Sequence, residues 1–222
     1  MYRNRVALAF VMLGALLVWG CSQTPEFVAR YEPWRGQEER ACLAAGFVRR
    51  TPFLQTHAAL GGPSVCGALQ PLEMSAAAGG RVLLRPAAKL GCPMVPAIER
   101  WVQNVVEPAA RRHLGMPVVE LKVMASYACR ARNNQWGGWL SEHGHANAVD
   151  ISGFVLADGR TITVQTGWWG RMQERAFLRA VHRGACDEFT TVLGPHADSH
   201  HRNHFHLDLA RHGRDGAGRI CK

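Results

Sequence analysis

Nine of the eleven histidines fall at or after position 143, and most of these gather in two short runs. The first run is Ser141-Glu142-His143-Gly144-His145-Ala146-Asn147-Ala148-Val149-Asp150, and the second is His200-His201-Arg202-Asn203-His204-Phe205-His206-Leu207-Asp208. Histidines are seldom packed fully into cores, so such clustering asks for a chemical reason. Along an extended strand alternate side chains share a face, which sends His204 and His206 one way and Phe205 and Leu207 the other. Two imidazoles about 6–7 Å apart on one face can serve one site, one as metal ligand and its neighbour as acid or base. Taken alone, His-x-His fits a solvated polar face with an apolar back equally well. The first run changes the balance. Ala148-Val149-Asp150-Ile151 reads as the start of a strand, with Asp150 on it and His143 on the preceding loop, free to converge on one ion. Two neutral imidazoles, one carboxylate and a water make a four-coordinate zinc site with an exchangeable position, as in catalytic rather than structural zinc.

The elements that must position these groups follow from periodicity. Gln37 to Gly46 reads as a short helix carrying Cys42, and Arg81 to Leu84 as a strand inside a Pro- and Gly-interrupted stretch. From Pro96 to Leu114, Ile98, Trp101, Val102, Val105, Val106, Ala109 and Ala110 recur every three or four residues, predicting an amphipathic helix kinked near Pro108 and ended at Gly115. Val118 to Tyr127 is strand-like. Ala148–Leu156 and Thr161–Thr166 predict a hairpin across Ala157-Asp158-Gly159-Arg160. Met172 to His182 predicts a second helix closed by Gly184, with short strands at Thr190–Leu193 and His204–Leu209. The sum is an α+β domain: a small, largely antiparallel sheet flanked by helices, with the zinc site on the sheet.

At 222 residues, 47% hydrophobic and 19% charged, the chain suits one globular domain. Residues 1–20 stand apart. Arg3 and Arg5 precede an apolar run from Ala7 to Trp19 that is shorter than the roughly 20 residues needed to span a bilayer, so it reads as an export signal. Its end, Val18-Trp19-Gly20-Cys21, resembles a bacterial lipoprotein processing site and makes Cys21 the candidate lipidation position, despite the bulk of Trp19. Residues 21–38 then read as a tether and 39–222 as the folded domain. Without Arg3 and Arg5 the formal charge falls from +9 to +7. A basic exported protein suits an anionic cell envelope, and the compartment, the periplasm, argues against nucleic acid as a partner. The six other cysteines, Cys42, Cys66, Cys92, Cys129, Cys186 and Cys221, form an even set without a Cys-x-x-Cys pair, so they read as disulfides. The pairing expected is Cys42–Cys66, Cys92–Cys221 and Cys129–Cys186, of which only the first has local logic. No Gly-x-Ser-x-Gly elbow surrounds Ser141, and paired cysteines leave no thiol nucleophile.

The pattern Ser-x-His-x-x-x-x-Ala-x-Asp followed by a distant His-x-His resembles that of the zinc D-Ala-D-Ala carboxypeptidases and murein endopeptidases. More closely, SYACRARNNQ, SEHGHANAVDISGF, FLRAVHRGACDEFTTVLGP and HRNHFHLDLA resemble the bacterial extensin-like C-terminal domain family, over about Cys42 to Cys221. The resemblance implies His143, Asp150 and His206 as zinc ligands. It implies His204 as the proton-handling neighbour of the metal and His201 as part of an extended His-x-x-His-x-His. Arg130 and Gln135 match an element that holds substrate, and Ser141 is grouped with them. Two departures stand out: the motif's usual Gly is Ala146, and a catalytic Glu of the dipeptidase branch is Asn203. Ala146 is strained if its φ must be positive, unless Gly144 takes the turn.

The activity so implied is hydrolysis of peptide bonds in peptidoglycan stem peptides or crosslinks. Zinc and Arg130 would stabilise the oxyanion, or Arg130 would clamp a substrate carboxylate. His204 would pass a proton to the leaving amine. Peptidoglycan is then the partner, with the membrane reached through lipid on Cys21. Two other readings stand beside it: an envelope protein that holds peptidoglycan without cutting it, and a lipoprotein that stores or senses zinc or copper. Asp208 is placed as an orienter of an imidazole, and Glu142 as structural. His145 and His200 are bystanders, and Trp168 and Trp169 core or groove residues.

Overall fold

The computed structural model describes residues 27–46 and 48–222. The expected export signal and the expected lipidation position, Cys21, therefore lie outside the described residues. Strand β1 (Phe27–Val28) and helix α1 (Pro33–Ala44) come first, followed by β2 (Leu54–Thr56), β3 (Leu72–Ala77) and β4 (Val82–Leu90). Helices α2 (Met94–Trp101) and α3 (Glu107–Leu114) are joined by one wide turn, Val102–Val106, and lead into β5 (Val118–Ala125). After β6 (Gly138–Trp139) come β7 (Ala148–Leu156), β8 (Thr161–Thr163), the single turn α4 (Val164–Gly167) and α5 (Met172–Glu188). Strands β9 (Thr191–Leu193), β10 (Phe205–Asp208) and β11 (Ile220–Cys221) complete the chain.

The domain is α+β, but its sheet is mixed. Strand order is β11-β9-β10-β7-β5-β4-β3-β2, with β8 paired to β7. Most pairs are antiparallel, whereas β4 runs parallel to β5 and β9 parallel to β11. The first exception follows from connectivity: a strand, a long helical crossover and a second strand in one sheet must run parallel. The wide turn at Val102–Val106 precedes Pro108, which has no N–H and crowds the carbonyl four residues back.

Strand alternation separates core from site. Val149 and Ile151 of β7, with Phe205 and Leu207 of β10, join the apolar core shared with Trp101, Phe154, Phe177 and Phe189. The intervening Asp150, His206 and Asp208 point to the other face. Helix α5 continues past Gly184, where a side chain would collide with Val105. This glycine admits a neighbouring helix rather than ending its own. Strand β8 stops at Thr163 because the Thr163 hydroxyl accepts from the Thr166 N–H and caps α4.

The expected tether is folded from residue 27 onward. Phe27 is buried, β1 pairs with β6, and α1 starts at Pro33. Burial of Phe27 with Ala131 and Leu140 supplies the driving force. The disulfides also differ from expectation. They join Cys42 to Cys92, Cys66 to Cys129 and Cys186 to Cys221, with Cα separations of 6.0, 5.8 and 5.9 Å. The first ties α1 to the entry of α2, the second clamps a loop beside the histidine site, and the third joins α5 to β11. Each pairing reflects neighbours in space, which spacing along the chain does not encode.

Candidate metal centre

Asp150 and His206 stand directly opposite each other in the β7–β10 ladder. His143 reaches them from a single turn, Glu142–His145, which opens on Ser141, whose hydroxyl accepts from the His143 N–H at 3.4 Å. The turn closes on Ala146 in the left-handed region, φ 52°. The strain therefore sits at Ala146. Gly144 is needed for room instead, since a Cβ there would lie 2.6 Å from Leu140. Glu142 anchors the turn. It is buried, forms a two-pronged ion pair with Arg35 at 2.7 and 2.8 Å, and accepts from Asn147 Nδ2 at 2.8 Å. The Ala128 N–H donates to the His143 carbonyl at 3.2 Å and ties the turn to the segment after β5.

Three donor atoms converge. His143 Nε2 is 3.1 Å from Asp150 Oδ2 and 3.2 Å from His206 Nδ1, and His206 Nδ1 is 2.9 Å from Asp150 Oδ1. All three residues are buried, and their ligand atoms lie within 4.8 Å of one another. The other ring nitrogens are already committed. His143 Nδ1 donates to the Ser126 carbonyl at 2.5 Å, and His206 Nε2 donates to Asp208 Oδ2 at 2.8 Å. The two nitrogens that face each other therefore bear lone pairs, beside an ionised carboxylate. Such a cluster is repulsive unless a cation sits in it. A proton on His206 or a divalent metal ion fills that role, and the donor set of two imidazoles and one carboxylate fits a metal with an open position. Fixing the far nitrogen of each imidazole is the usual support of a metal site.

Electrostatics agree. Burial disfavours the charged form of His206, yet hydrogen bonds to Asp150 and Asp208 overcome it and raise its pKa to about 10. Asp150 is also opposed by burial, but its hydrogen bonds to His143 and His206 hold it well below the usual carboxylate range. With no metal bound, a protonated His206 therefore sits between the carboxylates of Asp150 and Asp208.

A cleft of about 410 Å³ opens over this cluster. Arg130, Ser141, His201 and His204 line it with the three candidate ligands, whereas Gln135 is exposed and outside it. His204 Nε2 is 3.7 Å from Asp150 Oδ1, and its Nδ1 donates to Asn203 Oδ1 at 2.8 Å. Burial, against the pull of Asp150, lowers the His204 pKa to about 4, so its Nε2 carries a lone pair at neutral pH. His201 donates from Nδ1 to Asp198 at 2.8 Å, and its ring lies 5.2 Å from His204. Ser141 is buried as the cap of the ligand turn. His200 is exposed, Trp168 is in the core and Trp169 is exposed away from the cleft.

Sequence reasoning missed Ser126, Asp198 and the Arg35–Glu142 pair. Asp198 left a trace, an Asp three residues before His201 in the manner of a turn cap. Ser126 acts through its carbonyl and leaves none. A second ligand-like group, His182 with Cys186 and Cys221, is excluded because both sulfurs form a disulfide.

The fold and site define a disulfide-braced α+β domain with a candidate metal centre on the open face of its sheet. A family model described as Extensin-like protein C-terminus matches residues 40–222, and the chain belongs to that family. No curated protein and no solved structure matches it.

Proposed function

We propose that the chain is an exported zinc metallopeptidase hydrolysing peptide bonds of peptidoglycan stem peptides or crosslinks. On this reading it works in the periplasm from a lipid anchor on Cys21. The observation that carries it is the buried His143–Asp150–His206 donor set at the floor of a cleft ringed by proton-handling and cationic side chains. The likeness of these residues and their order to those of the zinc D-Ala-D-Ala carboxypeptidases and murein endopeptidases supports the same chemistry.

Zinc bound there supplies a Lewis acid that lowers the pKa of water towards about 7 and polarises a carbonyl. His204, neutral and turned by Asn203, presents Nε2 to take a proton from the attacking water and to return it to the leaving amine. His201, fixed by Asp198, packs against His204 and limits its rotation. Arg130 holds either the developing oxyanion or a substrate carboxylate. Asp208 keeps His206 in the tautomer that offers Nδ1.

Asn203 favours a second reading, a domain that binds peptidoglycan without cutting it, because a carboxylate base is missing there. A metal store is disfavoured, since the described residues offer a single group with free ligand atoms. The deciding experiment incubates zinc-loaded protein and His206→Ala with sacculi and resolves the products by mass. Loss of terminal D-Ala marks a carboxypeptidase, and conversion of dimers to monomers an endopeptidase. Binding without any product from zinc-loaded wild type would establish the second reading.

A further inference from the structure

The metal cleft does not end at Arg132 and Glu142. A second hollow of about 300 Å³ shares Arg132, Glu142, Ala210 and His212 with it and continues towards the N-terminal strand. Its walls include Trp139, which is 45% exposed, and Arg30, whose guanidinium lies 4.2 Å from the Trp139 ring centroid. Arg35 is consumed by Glu142 and Glu32, and Arg211 by Glu38. Arg30 has no carboxylate within ion-pair distance among the described residues. Arg132 is more than half exposed and only 3.8 Å from a Glu142 oxygen that Arg35 already engages.

Two guanidinium groups thus line one hollow without a full counter-charge, and one of them lies over an indole ring. The contact with the ring restrains Arg30, and its guanidinium has no hydrogen-bonded carboxylate among the described residues, so its donors can receive a carboxylate through paired hydrogen bonds. We propose that Arg30 and Arg132, with Trp139 as the platform, form a carboxylate-binding subsite beside the metal cleft, taking an acidic residue of a peptide whose neighbouring bond lies over His143, Asp150 and His206. This deepens the peptidase reading and rests on it for the identity of the peptide, since stem peptides carry free carboxylates.

The test measures binding of an N-acetylated Ala–D-Glu dipeptide, and of its diamide, to the metal-free full-length chain by calorimetry. Wild type should prefer the free acid at least about tenfold. Arg30→Gln and Arg132→Gln should each reduce that preference to about threefold or less, and Trp139→Ala should weaken acid binding by releasing Arg30. Equal binding of acid and diamide by wild type, or an unchanged preference in Arg30→Gln, overturns the subsite. Thermal melts confirm that these surface variants fold. Muropeptide hydrolysis by zinc-loaded wild type is scored separately. Acid preference without hydrolysis sinks the peptidase reading and leaves the subsite, whereas hydrolysis without acid preference does the reverse.

Discussion

His206 lies between two carboxylates, and its behaviour governs the centre. Its folded pKa of about 10 exceeds the unfolded value of about 6.5. The stabilisation this gives the metal-free protein is complete below about pH 6.5 and is lost as pH rises through about 10. Metal binding must displace the same proton from Nδ1, so apparent zinc affinity should rise about tenfold per pH unit between pH 7 and 9, with proton release. Calorimetry in buffers of different ionisation enthalpy reads this directly, and a pH-independent affinity would contradict the assignment. Asp208 acts through His206. Asp208→Asn should lower metal affinity by about 10–100-fold while leaving the fold intact, as measured by competition with a chromophoric chelator.

The ligand turn Glu142–His145 is an element too short to hold itself, and its rigidity is borrowed. Removing Glu142 strands the largely buried Arg35 and frees Asn147. Glu142→Ala should therefore destabilise the protein by about 2–3 kcal/mol in urea denaturation and loosen metal binding through His143. Two positions in the turn should respond in opposite directions. Ala146→Gly relieves a left-handed alanine and should leave stability unchanged or raise it by up to about 1 kcal/mol. Gly144→Ala drives a methyl into Leu140 and should cost about 1–3 kcal/mol. If Gly144→Ala is neutral in thermal melts, room at Gly144 is not what the turn requires.

Across the whole molecule, the Cys66–Cys129 bridge pins the 61–68 loop, whose Gly67 N–H donates to the Gly144 carbonyl at 2.8 Å. That bridge couples the metal turn to the rest of the domain. Replacing both cysteines with serine should lower stability by about 2–4 kcal/mol and weaken zinc binding more than the same change at Cys186 and Cys221, which join α5 to β11 rather than holding the loop that contacts the turn. On the proposed reading zinc would bind only the folded arrangement, so saturating zinc should raise the melting temperature and chelation should reverse the shift.

The sequence by itself marked the candidate metal-binding residues and most of the elements. Asp150 on a strand, His143 on the loop before it and His204 with His206 on one strand face were legible because residue type and alternation are local, with Phe205 and Leu207 turned to the core. The choice of His206 over His204 came from the family resemblance. The long helix from Met94 to Leu114 was legible from its apolar period. The parallel β4–β5 pair was not legible, and the sheet expected to be largely antiparallel is mixed. Only tertiary structure decided the disulfide partners, the folding of residues 27–38 onto the domain, and the carbonyl of Ser126 as the hold on His143. These depend on segments distant along the chain meeting in space. Pairing between them is set by burial and strand order, and neither leaves a period or a motif in the residues themselves.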